Sequence, residues 1–320
     1  MDRNLALELA RVTEAAALAA ARLMGRGDPV AIDEAATAAM HRAFGAIETA
    51  GRIVIGEAPE ESTDPLHVGE FVGSGGSDVP VAMDVALDAL EGVTVCATGG
   101  GNALSIILVG LPEKVLRCPE TYMEKIACGP EGEGVVSLEK SPTENLKALA
   151  EAKGVYVEDL TAVILDRPRH SRLVNEVREA GARVQLLADG DLAAAIATAR
   201  PGSGVDILLG IGGGQQGVLA AGALKGLGGV FEGRFRPLSG DETVLLKAAG
   251  LEEADRIYAA EDLVGDQVMF AATGVTSGHL LSGVQFFKGG ARTNSVVVRS
   301  ASRTIRWIET HHHFDFKPEY

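Results

Sequence analysis

Apolar residues in the first fifty positions recur three to four apart, and beyond them the apolar residues gather into short unbroken runs. The first pattern predicts two helices, at about Leu5–Met24 and Val30–Thr49, separated by a glycine-rich break. The second pattern predicts buried strands at Ile53–Ile55, in the residues that lead to Asp88, and at Ala103–Gly110.

The middle of the chain repeats a strand, a loop and a helix three times. The strands predicted for this repeat are Thr161–Leu165, Arg183–Leu187 and Val205–Leu209, and the helices are Ser171–Ala180, Leu192–Thr198 and Val218–Leu227. Before the repeat, Gly129–Gly134 predicts a hairpin or loop and Pro142–Lys153 an amphipathic helix. The alternation is typical of an α/β layer with parallel strands, in which ligands bind at the carboxyl ends of the strands. Arg169, Asp189 and Gln216 each follow such a strand end and are candidate binding residues.

The last third of the chain is less regular. Apolar runs predict strands at Leu263–Gly274 and His279–Phe287, and apolar and polar residues alternate over Arg292–Trp307. Three consecutive histidines follow at His311–His313. They fit a metal-binding tract, a purification tag, or an exposed C-terminal strand or tail.

Composition narrows the class of protein. The chain has 320 residues, of which 46% are apolar, enough for one large domain or two ordinary ones. Its net charge of -15 argues against nucleic acid or an anionic membrane surface as a partner, so we expect neither. Three cysteines without CxxC spacing, the lack of a signal-peptide pattern and the lack of a membrane-spanning apolar run predict a reduced, cytoplasmic protein.

Acidic residues stand at the ends of the first predicted strands. Glu57 follows one strand, and Asp88 and Glu91 end the next in the pattern Asp-x-x-Glu-Gly. Carboxylates this close repel one another unless a proton or a cation lies between them, and Mg2+ or Mn2+ suits oxygen ligands. Asp33, in the first turn of the second predicted helix, would complete the set, although a carboxylate there also suits the helix dipole. The alternative for the strand-end acids is that they are simply solvated.

Two kinds of chemistry fit these features. A dinucleotide site is one, because Gly212–Gly217 satisfies GxGxxG between a predicted strand and a helix, and Glu232 could bind a ribose. Metal-assisted hydrolysis of a phosphate ester is the other. In that case Arg167 and Arg169 could bind a second phosphate through bidentate contacts, unless they form salt bridges to neighbouring acids. Candidate contacts for a sugar phosphate are Tyr122, Asp189 and Asp191.

A series of short motifs runs in order through nearly the whole chain. They are Arg11–Glu14, Ile53–Glu57, Asp88–Gly92, Tyr122–Lys125, Arg167–His170, Asp189–Asp191, Gly210–Gly213, Ala272–Gly274 and Ser302–Arg306. With these motifs the chain resembles the class II fructose-1,6-bisphosphatases, the bacterial type within the lithium-sensitive sugar phosphatase superfamily. The resemblance implies a layered αβαβα fold of the α/β class with two mixed sheets. It also implies hydrolysis of the 1-phosphate of fructose 1,6-bisphosphate in gluconeogenesis, and for some relatives of sedoheptulose 1,7-bisphosphate, and it disfavours the dinucleotide interpretation.

The same resemblance implies roles for individual residues. The implied ligands for Mg2+ or Mn2+ are Asp33, Glu57, Asp88, Glu91 and Gln216. The implied catalytic positions are Asp33, Glu57 and Val93. The implied substrate contacts are Glu61, Gly92, Tyr122, Arg167, Arg169, Asp189 and Asp191. Most metal residues fall in a predicted N-terminal lobe, 1–160, and the sugar and remote-phosphate contacts in a C-terminal lobe, 161–320, of one continuous phosphatase unit. Relatives form dimers or tetramers, so we expect a homo-oligomer.

Two positions of the implied metal centre depart from the family pattern. Val93 stands where the family has a threonine whose hydroxyl helps to activate the attacking water, and Gln216 stands where it has a metal-binding glutamate. Loss of one well-placed acid–base group typically lowers a rate by about 10²–10⁴. Three interpretations follow: an active enzyme of altered rate in which Thr94 or a bound water compensates, a non-catalytic paralogue that binds a sugar phosphate, or a hydrolase of another ester.

Overall fold

The computed structural model describes residues 4–75, 80–253 and 255–316. The chain divides into two compact units, the first built from the chain up to Leu116 and from Gly265 onward, and the second from Arg117–Val264. These units differ from the predicted lobes, 1–160 and 161–320. The reason is that the strand after residue 117 joins the sheet of the second unit, whereas the chain after residue 265 returns to the sheet of the first.

Most of the helices and strands predicted from the sequence are present, but the helices at Val93–Thr98 and Gly240–Ala248 and the strand at Tyr122–Cys128 were not predicted. The α-helices of the described residues are α1 Leu5–Ala21, α2 Pro29–Gly45, α3 Val93–Thr98, α4 Pro142–Lys153, α5 Ser171–Glu179, α6 Asp191–Ala197, α7 Gly214–Leu227, α8 Gly240–Ala248 and α9 Ala260–Leu263. The strands in the same residues are β1 Gly51–Ile55, β2 Phe71–Val72, β3 Met83–Glu91, β4 Leu104–Gly110, β5 Tyr122–Cys128, β6 Thr161–Leu165, β7 Arg183–Leu187, β8 Ile207–Gly213, β9 Val230–Phe235, β10 Tyr258–Ala259, β11 Val268–Gly274, β12 Gln285–Phe287, β13 Gly290–Arg299 and β14 Thr304–His313.

The first unit contains a mixed sheet covered by helices α1 and α2. Its described strands are arranged in the order β12-β13-β11-β4-β3-β1-β2, and β14 pairs along the whole length of β13. β1 and β3 are parallel neighbours, whereas β3 and β4 are antiparallel. The core joins helix residues such as Leu9 and Phe44 to strand residues such as Leu87 and Ile107. The sheet therefore has an apolar helical layer on the face that carries these strand residues.

The second unit contains a sheet with helices on both faces. Its described strands follow the order β10-β9-β5-β8-β6-β7, with β6 parallel to both β7 and β8, which confirms the predicted parallel arrangement. Helices α4 and α5 pack against the face of Ile126, and α6 contacts its neighbour Lys125 on the opposite face. One helix layer with a sheet in the first unit, and a sheet between two helix layers in the second, are consistent with the predicted layered α/β fold with two mixed sheets.

Several predicted boundaries were wrong. Helix α2 begins at Pro29 and is capped by Asp28, whose side chain accepts a hydrogen bond from the amide of Ala31, so Asp33 lies beyond the first turn. The predicted strand Leu263–Gly274 begins only at Val268, because the residues up to Leu263 form helix α9. The predicted strand His279–Phe287 reduces to Gln285–Phe287.

Two smaller predictions are settled by the described residues. The segment predicted as a hairpin or loop at Gly129–Gly134 contains a 3-10 turn at Pro130–Gly132. The three histidines belong to strand β14, where His312 is buried and its Nε2 lies 2.8 Å from the hydroxyl of Thr293. Within the described part of the chain we found no helix with the length and apolarity to cross a membrane.

Candidate active site

Glu57 and Asp88 lie at the same edge of the sheet in the first unit. β1 ends two residues before Glu57 and runs parallel to β3 with Ile55 opposite Ala86, so Glu57 and Asp88, each two residues further along, lie side by side. The amide of Ala89 donates a hydrogen bond of 2.5 Å to Oε1 of Glu57. Gly56 permits the turn, because a β-carbon there would lie 2.2 Å from the carbonyl oxygen of Leu66. Two of the predicted acids are therefore brought together by the strand pairing.

A bulge in β3 places Glu91 on the same face as Asp88. Asp88 lies opposite Ile106 and Glu91 lies opposite Leu104, so three steps along β3 match two steps along β4. Residues three apart in a regular strand would point to opposite faces, and the extra residue corrects this. Gly92 ends the bulge in the left-handed region, at a φ of 84°. The spacing Asp-x-x-Glu-Gly thus has a structural cause.

Carboxylate charges act on one another at this edge. Burial raises the pKa of Glu57 to about 8, and the negative charges of Asp88 and Asp33 add to the rise, while the hydrogen bond from Ala89 opposes it. Burial also raises the pKa of Asp33, with a smaller contribution from Glu34. Asp33 on α2 is therefore close enough to Glu57 to influence its ionisation. Without a counter-charge, Glu57 retains its proton near neutral pH.

This donor set fits a hard divalent cation. Carboxylate oxygens are the ligands that Mg2+ and Mn2+ prefer, and a cation would remove the repulsion that favours the protonated form of Glu57. As the side chains stand, the described residues include no group of three histidine, cysteine or acidic side chains arranged to hold a metal. The fit is therefore one of charge and donor chemistry.

Of the other predicted residues of the first unit, Gly92 and Val93 lie at the start of helix α3, and Glu61 lies between two strands. Gly92 is the residue before this helix, and a β-carbon on it would lie 3.0 Å from Cγ2 of Val95. Val93 is the first helical residue, half-buried, and its side chain packs against the apolar core. Thr94 is exposed beside it. Glu61 lies exposed in the turn between β1 and β2. The side chain of Val93 therefore makes an apolar contact at the start of α3.

In the second unit, Arg169 is held at the carboxyl end of β6. Its Nε and Nη2 donate hydrogen bonds of 3.2 and 2.7 Å to the carbonyl oxygen of Ile211 in β8. Its guanidinium lies 5.0 Å from the ring centroid of Tyr122, at the start of β5. Both contacts fix the side chain and neither neutralises its charge, since one partner is a carbonyl and the other an aromatic face. The structure therefore brings Arg169 and Tyr122, two of the predicted substrate contacts, together.

The neighbouring loops carry Arg167 and Asp189. Nη1 of Arg167 donates hydrogen bonds to the carbonyl oxygens of Asp166 and Ala188, so the side chain spans the ends of β6 and β7. Asp189 follows Ala188 and is half-buried. Arg167, Asp189 and Arg169 therefore lie on adjacent strand ends, and the alternative that the two arginines form salt bridges is not supported by their hydrogen bonds to carbonyl oxygens.

Lys125 and His170, which were not among the predicted site residues, are buried and connect these loops to neighbouring strands. Nζ of Lys125 lies 2.6 Å from Oδ2 of Asp191, so the carboxylate predicted to bind sugar forms a buried ion pair. His170 accepts a hydrogen bond of 2.8 Å from the amide of Ile211 at Nε2, and its Nδ1 lies 2.8 Å from the carbonyl oxygen of Leu165. The motif Arg167–His170 contained His170, but only the strand pairing shows what it contacts.

The glycine-rich run at the end of β8 is explained by close packing. A β-carbon on Gly212 would lie 2.0 Å from Oδ2 of Asp191, one on Gly213 would lie 2.0 Å from Oε1 of Gln216, and one on Gly217 would lie 2.6 Å from the sulfur of Met123. Gln216 is the third residue of α7, with its amide oxygen turned towards the end of β8.

The dinucleotide interpretation is wrong. That fingerprint needs a second parallel strand beside the first, but β9, which follows α7, pairs with β5 in antiparallel orientation. Glu232, the candidate ribose ligand, instead accepts hydrogen bonds of 2.9 Å from the hydroxyl of Ser137 and 2.7 Å from the amide of Leu138.

The α/β fold with two mixed sheets and the comparison with known proteins assign the chain to the sugar phosphatases of the α/β class. Residues 3–312 match the model of the family described as bacterial fructose-1,6-bisphosphatase, glpX-encoded. The chain is 40% identical to the D-fructose 1,6-bisphosphatase class 2/sedoheptulose 1,7-bisphosphatase of Synechococcus elongatus, over 98% of each chain. It is 39% identical to the protein of the same name from Thermosynechococcus vestitus, over 98% of this chain and 97% of that one. The chain therefore belongs to the bacterial, glpX-encoded fructose-1,6-bisphosphatase family.

Proposed function

We propose that this chain hydrolyses the 1-phosphate of fructose 1,6-bisphosphate to give fructose 6-phosphate and phosphate, with Mg2+ or Mn2+ as the required cation. Sedoheptulose 1,7-bisphosphate is the second proposed substrate, because the relatives' names include both sugars. The single observation that carries the proposal is the carboxylate cluster of the first unit, where burial, together with the negative charges of Asp88 and Asp33, raises the pKa of Glu57 to about 8.

For the first unit, we propose that Asp33, Glu57, Asp88 and Glu91 hold the cation. A divalent cation bound there would supply positive charge to the phosphate oxygens and make the attacking water more acidic. The chain's own part is to present four carboxylates from one sheet edge and one helix, and to keep Glu57 in an environment where its proton is readily exchanged for a cation. Gly92, buried just before the start of α3, would approach the substrate through its backbone.

For the second unit, we propose that Arg167, Arg169 and Tyr122 bind the remote phosphate. Arg169 suits this role because its contacts to Ile211 and Tyr122 orient the guanidinium and leave its charge in place. We propose that Asp189, half-buried on the loop after β7, accepts hydrogen bonds from sugar hydroxyls. Glu61, exposed near the first sheet, is the remaining proposed substrate contact.

We expect the rate to be modified by Val93 and Gln216. A valine side chain cannot donate or accept a proton, and an amide oxygen brings no negative charge to a metal, so both water activation and metal affinity should be lower than in relatives. The exposed hydroxyl of Thr94, one residue further along α3, is the nearest replacement in sequence.

Phosphate release from fructose 1,6-bisphosphate, measured at increasing Mg2+ or Mn2+, tests the proposal. We expect release that depends on metal, and we expect Val93→Thr together with Gln216→Glu to raise kcat by about 10-fold or more. Thr94→Val in the same series tests whether that hydroxyl compensates. An absence of release at saturating metal, in a protein that is still thermally stabilised by the sugar phosphate, would show a binding protein instead.

The cellular setting is proposed on the family resemblance. We propose a cytoplasmic enzyme of gluconeogenesis or a related sugar-phosphate cycle that works as a homo-oligomer, either dimer or tetramer. The buried, unpaired state of Cys96, Cys118 and Cys128 is compatible with a reducing compartment. Light scattering of the purified chain would establish the oligomeric state.

A further inference from the structure

Lys125 carries a buried charge that the proposed hydrolysis does not use. Its side chain is only 2% exposed, on the face of β5 that faces helix α6. Nζ lies 2.6 Å from Oδ2 of Asp191 and donates a hydrogen bond of 3.1 Å to the carbonyl oxygen of Gly213. A buried ion pair is often no more stabilising than apolar residues of the same volume, so its presence calls for an explanation other than stability.

The two partners of Lys125 belong to two different loops. Asp191 is the first residue of α6 and lies two residues after Asp189, the proposed sugar contact. Gly213 is the last residue of β8 and directly precedes helix α7, which carries Gln216. One ammonium group therefore connects the β7–α6 loop to the β8–α7 loop. The packing is tight, since a β-carbon on Gly212 would lie 2.8 Å from Nζ and 2.0 Å from the carboxylate.

We propose that Lys125 is a positioning residue for sugar-phosphate binding, which acts by holding the β7–α6 and β8–α7 loops through Asp191 and Gly213. This inference rests on the proposed function of the second unit. It gives Asp191 an indirect role, because one carboxylate oxygen is bound to Lys125 and the side chain is buried, whereas Asp189 is half-buried and reachable by a ligand. The sugar would then be bound by Asp189 on a loop whose position Lys125 fixes.

The same unit offers a matched control. Lys153 and Asp206 form a second lysine–aspartate pair at 2.5 Å, and Oδ2 of Asp206 also accepts a hydrogen bond from the amide of Thr161. Thr161 is the first residue of β6, so this pair lies at the amino end of the parallel strands. Ligands bind at the opposite end of such strands. Breaking this pair removes a lysine–aspartate ion pair, less buried than that of Lys125, away from the proposed binding loops.

The test compares Lys125→Met and Asp191→Asn with Lys153→Met and Asp206→Asn in steady-state hydrolysis of fructose 1,6-bisphosphate. We expect the first two variants to raise KM by about 10-fold to 100-fold, the range typical of small misplacements of a binding group, and to change kcat little. We expect the control variants to leave KM within about two-fold. A merely structural role would reduce the active fraction, which lowers the apparent kcat and leaves KM unchanged.

The double variant Lys125→Met/Asp191→Asn separates an indirect role of Asp191 from a direct one. If both residues act through one pair, the double variant will show the same rise in KM as either single variant. Multiplied effects, or a rise in KM in Asp191→Asn with no rise in Lys125→Met, would overturn the proposal in favour of a direct sugar contact. Should Lys125→Met fail to fold, Asp191→Asn, which keeps the size and polarity of the side chain, still breaks the ion pair.

Amide hydrogen exchange gives a readout that does not depend on activity. We expect exchange in residues 188–191 and 210–216 to accelerate in Lys125→Met and to stay unchanged in Lys153→Met. Unchanged exchange in both variants would refute the positioning role. If the wild-type protein released no phosphate, the proposed hydrolysis would fail, whereas the exchange experiment would still decide whether Lys125 holds the two loops.

Discussion

The two units differ in how their buried carboxylates are surrounded. In the first unit, Glu57 lies among other carboxylates and its pKa is raised to about 8 by burial and by their charge. In the second, the buried carboxylate of Asp191 is matched by Lys125 at 2.6 Å. A cluster of like charges favours the binding of a ligand with the opposite charge. In a buried ion pair the two charges neutralise each other, and the pair fixes the loops that carry it. A buried carboxylate therefore indicates a cation site in the first unit, at Glu57, and a structural ion pair between two loops in the second, at Asp191.

Replacing a carboxylate by an amide in each unit gives the largest expected contrast. We expect Glu57→Gln to lower kcat/KM by about 10³ or more, because it removes a proposed metal ligand. In metal-free protein at pH 8, the same change should raise Tm by a few degrees, since it removes a charge that folding disfavours. Asp191→Asn should lower Tm, because Lys125 is left without its counter-charge.

Activity assays and thermal melts in a chelator check this contrast. The sign follows from linkage: a carboxyl group whose pKa is higher in the folded protein makes the free energy of unfolding fall as the pH rises from about 4.5 to about 8. Glu57→Gln should flatten that fall. Equal effects of Glu57→Gln and Asp191→Asn on Tm would contradict the idea that the two units differ.

Removing the guanidinium of Arg169 is expected to have the next largest effect. Arg169→Ala should raise KM for fructose 1,6-bisphosphate by about 10-fold to 100-fold, because charge-assisted hydrogen bonds to phosphate contribute about 1.5–3 kcal/mol each. Tm should change little, since the side chain is exposed. The matched control is Arg172→Ala, an exposed arginine three residues further along in helix α5. Steady-state kinetics decide the matter, and an unchanged KM in Arg169→Ala would remove this residue from the proposed site.

A methyl group on Gly212 tests how tightly the paired charges are packed. Gly212→Ala would place a β-carbon 2.0 Å from Oδ2 of Asp191, so we expect a loss of about 1–3 kcal/mol in the free energy of unfolding. Gly240→Ala is the control in the same unit, because a β-carbon there meets no atom within 4 Å. Urea unfolding of both variants gives the comparison. If Gly212→Ala were as stable as Gly240→Ala, the pair would have to be more adaptable than its geometry indicates.

The smallest expected effect concerns pH and His170. Burial lowers the pKa of His170, so the folded protein favours the neutral imidazole whose Nε2 accepts a hydrogen bond from Ile211. Stability from this group is complete above the ordinary pKa of 6.5 and is lost as the pH falls towards the lower folded pKa, by up to about 1.4 kcal/mol per pH unit. The difference in urea midpoint between pH 7.5 and 5.5 should be smaller in His170→Phe than in the wild type. An identical difference would show that His170 does not titrate in this range.

Local patterns predicted the elements and the order of the candidate residues well, because periodicity and glycine breaks are properties of neighbouring positions. The parallel strands β6, β7 and β8, the acid after β1 and the acids in the last part of β3 were found this way. What the sequence could not supply were contacts between distant positions. The pairing of Lys125 with Asp191 depends on β5 lying beside β8, and no local spacing encodes that neighbour.

Two features of the sequence, the nucleotide-like glycine motif and the boundary between the predicted lobes, were misleading for the same reason: both depend on contacts between distant residues. The glycines of Gly212–Gly217 fit a nucleotide fingerprint because that motif and close packing against Asp191 and Met123 both require the absence of a β-carbon. The boundary of the second unit was missed because β11 to β14 return to the first sheet after an interval of about 150 residues, and apolar periodicity contains no information on which sheet a strand joins.

Helix α1 lies against strands that are made last. It packs on β11 and β13, and Glu14 accepts a hydrogen bond of 2.6 Å from Thr310 in β14. During synthesis, the second unit can fold as a continuous segment, whereas helix α1, which also packs on α2, β3 and β4, gains the last part of its cover only when β11 and β13 have been made. The amide of Gly265 donates to the carbonyl oxygen of Lys114 at 2.7 Å, so the chain leaves and re-enters the first unit at adjacent points. We therefore expect the second unit to complete its fold before the first unit during synthesis.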